Sequence, residues 1–328
     1  MIKAQTAVRP ILVVGGSGFI GGALVRTLVA MGHRVRGLSR RPAPALEALP
    51  GVTWHHGALL DDTVLSVALE GVDICFHLAS STVPRNSNDV PLEDIHTNLM
   101  GTVSLLTHAV RTGVKRVIFV SSGGTVYGTP QILPIPETHP LGPISSYGIV
   151  KAAIEHYLGL FTRRVGLEHV ILRMSNPYGP GQRPEGAQGV IAVFLHRILN
   201  GQPVEIWGDG SAIRDFVYID DAVSGLIAAM DYRGDERIFN IGAGQGYSLH
   251  EIVTLIEKAT GRSAQVTYKA AGPLDVRRNV LSIDRARAEI GYTCQVSLIE
   301  GLYRTAAYFG RERRAGNLNR GIPFSGEQ

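Results

Sequence analysis

Six short β-branched runs alternate with amphipathic stretches through the first half of the chain. ILVVGG (11–16), RVRGLS (34–39), VTWHHG (52–57), ICFHLA (74–79), RVIFVSS (116–122) and HVILRMS (169–175) have the length and residue preference of strands. Between them, FIGGALVRTLVAMG, DTVLSVALEG, NLMGTVSLLTHAVRTG and SSYGIVKAAIEHYLGLFTRRVG carry apolar residues at three- and four-residue spacing, and several close on glycine. Such alternation requires parallel strands joined by crossover helices on both faces of one sheet. The predicted class is therefore α/β: a Rossmann-type, doubly wound parallel sheet with a smaller α/β C-terminal unit.

After Met174 the rhythm changes. SNPYGPGQRPEGAQG reads as a loop, followed by a helix at VIAVFLHRILNG, a strand at PVEIWG and a turn at GDGSAIRD. FVYIDDAVSGLIAAM and RIFNIG return to the earlier alternation, and SLHEIVTLIEKATG and SIDRARAEIG read as small helices. The expected division is a dinucleotide-binding domain at 1–175, rejoined by 215–242, and a smaller substrate-binding domain within 176–328.

A length of 328 residues accommodates two such units. Hydrophobic residues make up 45%, yet every apolar run falls well short of the roughly 20 residues that span a bilayer. MIKAQTAVRP has no apolar leader region, so a cytoplasmic location is expected and membrane association is not. The two cysteines, Cys75 and Cys294, lack the spacing of a zinc or redox site and read as reduced packing residues; no metal site is expected. The net charge of +4 is scattered, and the one dense basic stretch, RERRAGNLNR, reads as a solvated tail, which argues against nucleic-acid binding. Arginine outnumbers lysine 27 to 5, so a lysine within a motif carries weight.

GGSGFIG follows the first strand and opens the first helix, with Gly15, Gly18 and Gly21 spaced by three. Glycine there permits a tight turn and close approach of a pyrophosphate to the helix N-terminus. About twenty residues on, where NAD sites place an acid for the ribose hydroxyl, stands Ser39, followed by Arg40 and Arg41. The missing carboxylate and the arginine favour a 2′-phosphate, hence NADP over NAD.

YGIVK places Tyr147 and Lys151 four residues apart on one helix face. An adjacent ammonium is expected to lower the phenol pKa, allowing Tyr147 to exchange a proton with a sugar hydroxyl while a nicotinamide exchanges hydride.

Together GGSGFIG, HLAS, TNLMGTVSLL, SSGGTVYG, YGIVK, NPYGPGQ and GDGSAIRDFVYIDD resemble the extended short-chain dehydrogenase/reductases, specifically their NAD-dependent epimerase/dehydratase branch acting on nucleotide sugars. The resemblance runs from Pro10 to about Tyr292. It implies that Gly15, Gly18, Phe19, Ile20 and Gly21 form the pyrophosphate turn, that Leu78, Ala79 and Ser80 lie beneath the cofactor, and that Asp61 is the matched acid near the adenine, with Ala58 replacing another. Tyr147 resembles the acid/base and Lys151 the residue that holds the nicotinamide ribose. Asn176 and Arg214 resemble donors to the substrate diphosphate, Trp207 the contact to its base, and Asn98 an architectural asparagine.

The sequence also departs from the family. Gly123 stands where family epimerases carry Ser or Thr, leaving Ser122 and Thr125 as candidate hydroxyl donors. Gly124 and Thr125 replace the Asp-Glu of the 4,6-dehydratases, which argues against dehydration. Gly272 replaces a diphosphate-binding arginine, with Asp275 kept and Arg277 nearby. The leading expectation is a nucleotide-sugar 4-epimerase with tightly bound NAD or NADP working through a 4-keto intermediate. An NADP(H)-dependent keto-sugar reductase or dehydrogenase is the alternative, and a non-catalytic dinucleotide-binding protein ranks below both. The resemblance also implies a homodimer joined through NLMGTVSLLTHAV and AAIEHYLGLF.

Overall fold

Each of the six β-branched runs forms a strand in the structure, a computed structural model that describes residues 9–84, 86–184, 189–270 and 276–314. The first half runs β1 (Ile11–Val14), α1 (Phe19–Ala30), β2 (Val35–Ser39), α2 (Pro44–Glu47), β3 (Val52–His56), α3 (Asp62–Leu69), β4 (Ile74–His77), α4 (Pro91–Asp94), a π-helical segment (Ile95–Met100), α5 (Gly101–Thr112), β5 (Arg116–Ser122), α6 (Ser146–Val165) and β6 (Glu168–Met174). The remainder comprises β7 (Asn176–Tyr178), α7 (Val190–Leu199), β8 (Val204–Trp207), β9 (Ile213–Tyr218), α8 (Ile219–Asp231), β10 (Ile238–Ile241), β11 (Gly246–Ser248), α9 (Leu249–Thr260), β12 (Val266–Lys269), β13 (Arg278–Asn279), α10 (Asp284–Ile290) and α11 (Leu298–Arg314).

The main sheet has seven strands in the order β10-β6-β5-β4-β1-β2-β3, every neighbouring pair parallel. The period-two pattern divides its core: along β5, Val117 and Phe119 face a cluster with Leu105 and Ile154, whereas Ile118 and Val120 face one with Leu24 and Leu226. The chain winds outward from β1 in one direction, then crosses to β4 and winds the other way. Ligand crevices form beyond the strand ends at such a reversal, here between β1 and β4. Beyond that edge lie a sheet in the order β11-β9-β13, with β7 also paired to β9, and a parallel pair β8–β12.

One expectation fails near the C-terminus. Arg311 to Arg314 belong to α11 rather than to a solvated tail. The helix buries Leu298, Leu302, Thr305 and Phe309 at three- and four-residue spacing, and Arg313 donates to the Leu199 carbonyl at the end of α7 at 2.6 Å. Its charged outer face obscured that narrow apolar stripe. Among the described residues no helix is long and apolar enough to cross a membrane.

Candidate active site

The turn after β1 is built from close backbone approaches. Gly15 adopts φ +84°, donates its N–H to the Leu38 carbonyl at 2.8 Å, and lies so near the β4 end that an added Cβ would stand 2.8 Å from Ala79 N. The Gly18 N–H bonds back to the Gly15 carbonyl at 3.0 Å, and a Cβ on Gly21 would overlap that same carbonyl. Gly18 opens α1 without a side-chain cap, so the first-turn N–H groups, those of Phe19 and Ile20 included, have no side-chain acceptor there. A cradle that any Cβ would fill, against a helix N-terminus, fits a dinucleotide pyrophosphate. Across the reversal, Leu78 donates to the Val14 carbonyl at 2.9 Å, and the exposed Ser80 hydroxyl donates to the Thr82 carbonyl at 3.1 Å.

At the end of β2, Ser39 is buried and its hydroxyl is occupied: it donates to the Arg41 carbonyl at 2.7 Å and accepts from Trp54 Nε1 at 3.0 Å. Ser39 thus shapes the strand end, and its one donor is committed within the protein. Arg40 and Arg41 are exposed at the same edge. Asp61 caps α3, accepting from the N–H groups of Thr63 and Val64 at 3.1 Å each through Oδ1.

Tyr147 and Lys151 share the inner face of α6. The Lys151 ammonium donates to the Val120 carbonyl at 3.0 Å and lies 5.5 Å from the centre of the Tyr147 ring and 4.7 Å from that of Phe119. It sits against the ring face. Burial pushes the phenol above its ordinary range, with the Asp94 carboxylate adding to the shift, and burial pulls Lys151 down to about 8. This reverses the expected direction for Tyr147: removal from water and a nearby carboxylate outweigh the ammonium.

Side chains hold the first turn of α6 in place. Ser145 caps it through Gly148 N at 3.2 Å, Asn88 Oδ1 accepts from Ser146 N at 2.9 Å, and Ser87 Oγ accepts from Tyr147 N at 3.1 Å. Ser146 Oγ also donates to Asp94 Oδ2 at 2.8 Å. Asp94 Oδ1 in turn accepts from Thr82 Oγ1 at 2.7 Å and from Asn98 Nδ2 at 2.8 Å. Asn98 reaches Asp94 from the π-helical segment, and its Oδ1 accepts from Ser81 N at 2.9 Å. One turn beyond Lys151, Glu155 forms a buried ion pair with Arg173 at 2.7 Å, tying α6 to β6.

Beside this pair the strand end of β5 carries Ser122, half-buried, and Thr125, whose Oγ1 is buried without a partner among the described residues. Gly123 is packed beneath Leu281, and Asn279 Nδ2 donates to its carbonyl at 3.0 Å. Asn176 and Arg214 come together on β7 and β9: Asn176 Nδ2 donates to the Asp215 carbonyl at 2.8 Å, and Arg214 Nη1 to the Ile213 carbonyl at 2.9 Å. Trp207 belongs to the separate β8–β12 pair, 46% exposed, with the Lys269 ammonium 5.8 Å from its ring. Gly272 and Asp275 lie outside the described residues.

Sequence reasoning missed Asp94, Ser87, Asn88 and Trp54. Asp94 lies four residues before Asn98, a helical spacing, but it precedes the apolar pattern that marks the helix at NLMGTVSLLTHAVRTG. Ser87 and Asn88 act across about 60 residues, and no local pattern marks them.

The comparisons with known proteins agree with this geometry. The chain is 36% identical to the UDP-glucose 4-epimerase of Mycolicibacterium smegmatis, over 91% of this chain and 97% of that protein. The crystal structure of the Thermotoga maritima UDP-glucose 4-epimerase with UDP-glucose superposes with a TM-score of 0.89 at 36% identity, covering 93% of this chain and 99% of that one. The Thermus thermophilus UDP-glucose 4-epimerase in complex with NAD gives 0.86 at 33% identity, over 92% and 99%. Residues 11–242, which span the glycine turn, the Tyr147–Lys151 helix and β10, match a single family description, and the chain belongs to the NAD dependent epimerase/dehydratase family.

Proposed function

We propose that the protein is a nucleotide-sugar 4-epimerase that takes UDP-hexoses. The observation that carries this reading is the placement of Tyr147 and Lys151 at the carboxyl edge of the sheet, across the reversal from the Gly15 turn. Gly15, Gly18, Phe19, Ile20 and Gly21 would hold the cofactor's pyrophosphate, with Leu78, Ala79 and Ser80 beneath it. The nicotinamide, when bound, supplies a reversible hydride acceptor for sugar C4. Tyr147 takes the O4 proton as the 4-keto sugar forms and returns it after the sugar has presented its other face. Lys151 places a positive charge against the Tyr147 ring, which favours the phenolate. The buried Thr125 hydroxyl, unpartnered among the described residues, supports Thr125, with Ser122 beside it, as the hydroxyl donor to O4. Asn176, Arg214 and Trp207 would form the substrate side, and the described residues up to 175 with 215–242 the cofactor side.

The absence of a carboxylate at Ser39 and the exposed Arg40 favour NADP as the dinucleotide, while relatives are solved with NAD. The same feature supports the second reading, an NADP(H)-dependent keto-sugar reductase, in which the cofactor turns over. A homodimer is supported by exposed apolar residues on adjacent helices: Met100 just before α5 and Val110 on it, and Ile149, Tyr157 and Leu160 on α6. The two free cysteines fit a cytoplasmic location. Incubation with UDP-glucose, UDP-N-acetylglucosamine and UDP-glucuronic acid, followed by analysis of sugar stereochemistry, tests the proposal. Interconversion at C4 without net cofactor consumption is expected; stoichiometric NADPH oxidation with a 4-keto sugar and no epimer would replace it with the second reading.

A further inference from the structure

Asp94 is fully buried, and among the described residues its side-chain donors, Thr82, Asn98 and Ser146, are neutral. A buried carboxylate held only by neutral groups is costly unless an opposite charge shares its surroundings. Lys151 presents the complementary situation: 4% exposed, its ammonium bonded to a backbone carbonyl and in no side-chain ion pair among the described residues. Asp94 touches the residue immediately before Tyr147, at the turn of α6 that leads to Lys151.

We propose that Asp94 is a positioning residue for the Tyr147–Lys151 pair, anchoring the first turn of α6 through Ser146 and keeping the Lys151 ammonium charged inside the fold. Of the two carboxylates that raise Lys151, Asp94 acts more strongly than Glu155. Glu155, on α6 itself, is matched by Arg173 from β6 and by the Ser121 hydroxyl from β5. His77, on β4, is pushed down to about 3 by burial, with the Lys151 charge adding to the shift, and stays neutral. Burial, with Asp94 adding to the shift, raises Tyr147, so it offers Lys151 no compensating charge until the pair is activated. Asp94 raises both Lys151 and Tyr147, so removing its charge lowers both. The proton whose loss activates the pair then leaves at lower pH.

The proposal rests on Tyr147 and Lys151 being the proton-handling pair, but its primary test needs neither substrate nor cofactor. With five lysines in the chain, 13Cε-lysine NMR of the full-length protein resolves Lys151, assigned by its loss in Lys151→Arg. In Asp94→Asn and Asp94→Ser, checked for fold by circular dichroism, the Lys151 midpoint is expected to fall by about one pH unit. The acidic limb of kcat/KM for the C4 interconversion should move in the same direction. An unchanged midpoint in a folded neutral variant overturns the proposal, as does failure of both variants to fold, which would make Asp94 a structural residue alone. A shifted midpoint in a protein that turns over none of the UDP-sugars would keep the Asp94–Lys151 coupling and sink the epimerase reading instead.

Discussion

Leu281 fills the space that a side chain at position 123 would need: a Cβ built on Gly123 would stand 2.5 Å from Leu281 Cδ1 and 3.1 Å from the Arg173 carbonyl oxygen. A hydroxyl-bearing side chain at this place would therefore require Leu281 to shift. Gly123→Ser should destabilise the protein by about 1–3 kcal/mol through overpacking. Combined with Leu281→Ala, it should cost less than the sum of the two single changes, because each relieves the other. Urea unfolding of the four proteins measures the cycle, and strict additivity would refute the contact.

Lys151 loses its proton near pH 8 in the folded protein, against roughly 10.4 for a free lysine. Between those values the unfolded chain holds the additional proton, so this group's contribution to stability rises with pH across that window. Below pH 8 the buried ammonium opposes folding by something on the order of 3 kcal/mol. Lys151→Met should therefore be more stable than wild type at pH 7, and the difference should shrink progressively as pH rises toward 10. Paired melting curves at pH 7 and 9.5 measure this.

Tyr147→Phe should lower turnover by roughly 10²–10⁴-fold while leaving dinucleotide binding intact, since the phenol oxygen handles the proton and the Gly15 turn holds the phosphates. Parallel rate and fluorescence-binding measurements separate the two; retained turnover would remove Tyr147 from the chemistry.

Arg40→Ala should weaken NADPH binding about tenfold or more and leave NADH nearly unchanged, as a charge-assisted bond to a 2′-phosphate would require. Ser39→Asp should reverse the preference, because an aspartate can still accept the Trp54 indole N–H now received by the serine. Titration calorimetry with both dinucleotides gives the ratio. Equal losses for the two would leave Arg40 an ordinary surface residue.

Arg173 and Glu155 are each 4% exposed at the side chain. Removing one partner strands a buried charge, so Arg173→Met should cost about 3–5 kcal/mol, whereas Arg173→Met with Glu155→Leu should recover much of it. Denaturant midpoints for the single and double variants distinguish this from a simple packing loss.

What could be read from sequence was what repeats or lies close together. The six β-branched runs fixed the strands because both faces of the sheet are buried, and GGSGFIG and YGIVK mark their turn and helix through spacings of three and four. Relationships across the chain were hidden: Asp94 to Ser146 spans 52 residues, and Leu281 meets Gly123 across more than 150. Helix α11 escaped because its outer face is dense with charge. The direction in which Tyr147 shifts was misread for a different reason. An i to i+4 neighbour is visible in a sequence, whereas the loss of water around both groups is a property of the assembled core.

The two helices that open toward the crevice differ in what meets their first turns. In α6 the backbone donors of Ser146, Tyr147 and Gly148 are engaged by Asn88, Ser87 and Ser145, whereas α1 begins at Gly18 with no such side chain. The fold thereby has a polarity of its own: its electropositive pole for an incoming anion stands over β1, and the pole over Tyr147 is already quenched by the chain. A pyrophosphate reaching this edge therefore meets open backbone donors over β1 and finds those at the start of α6 already engaged.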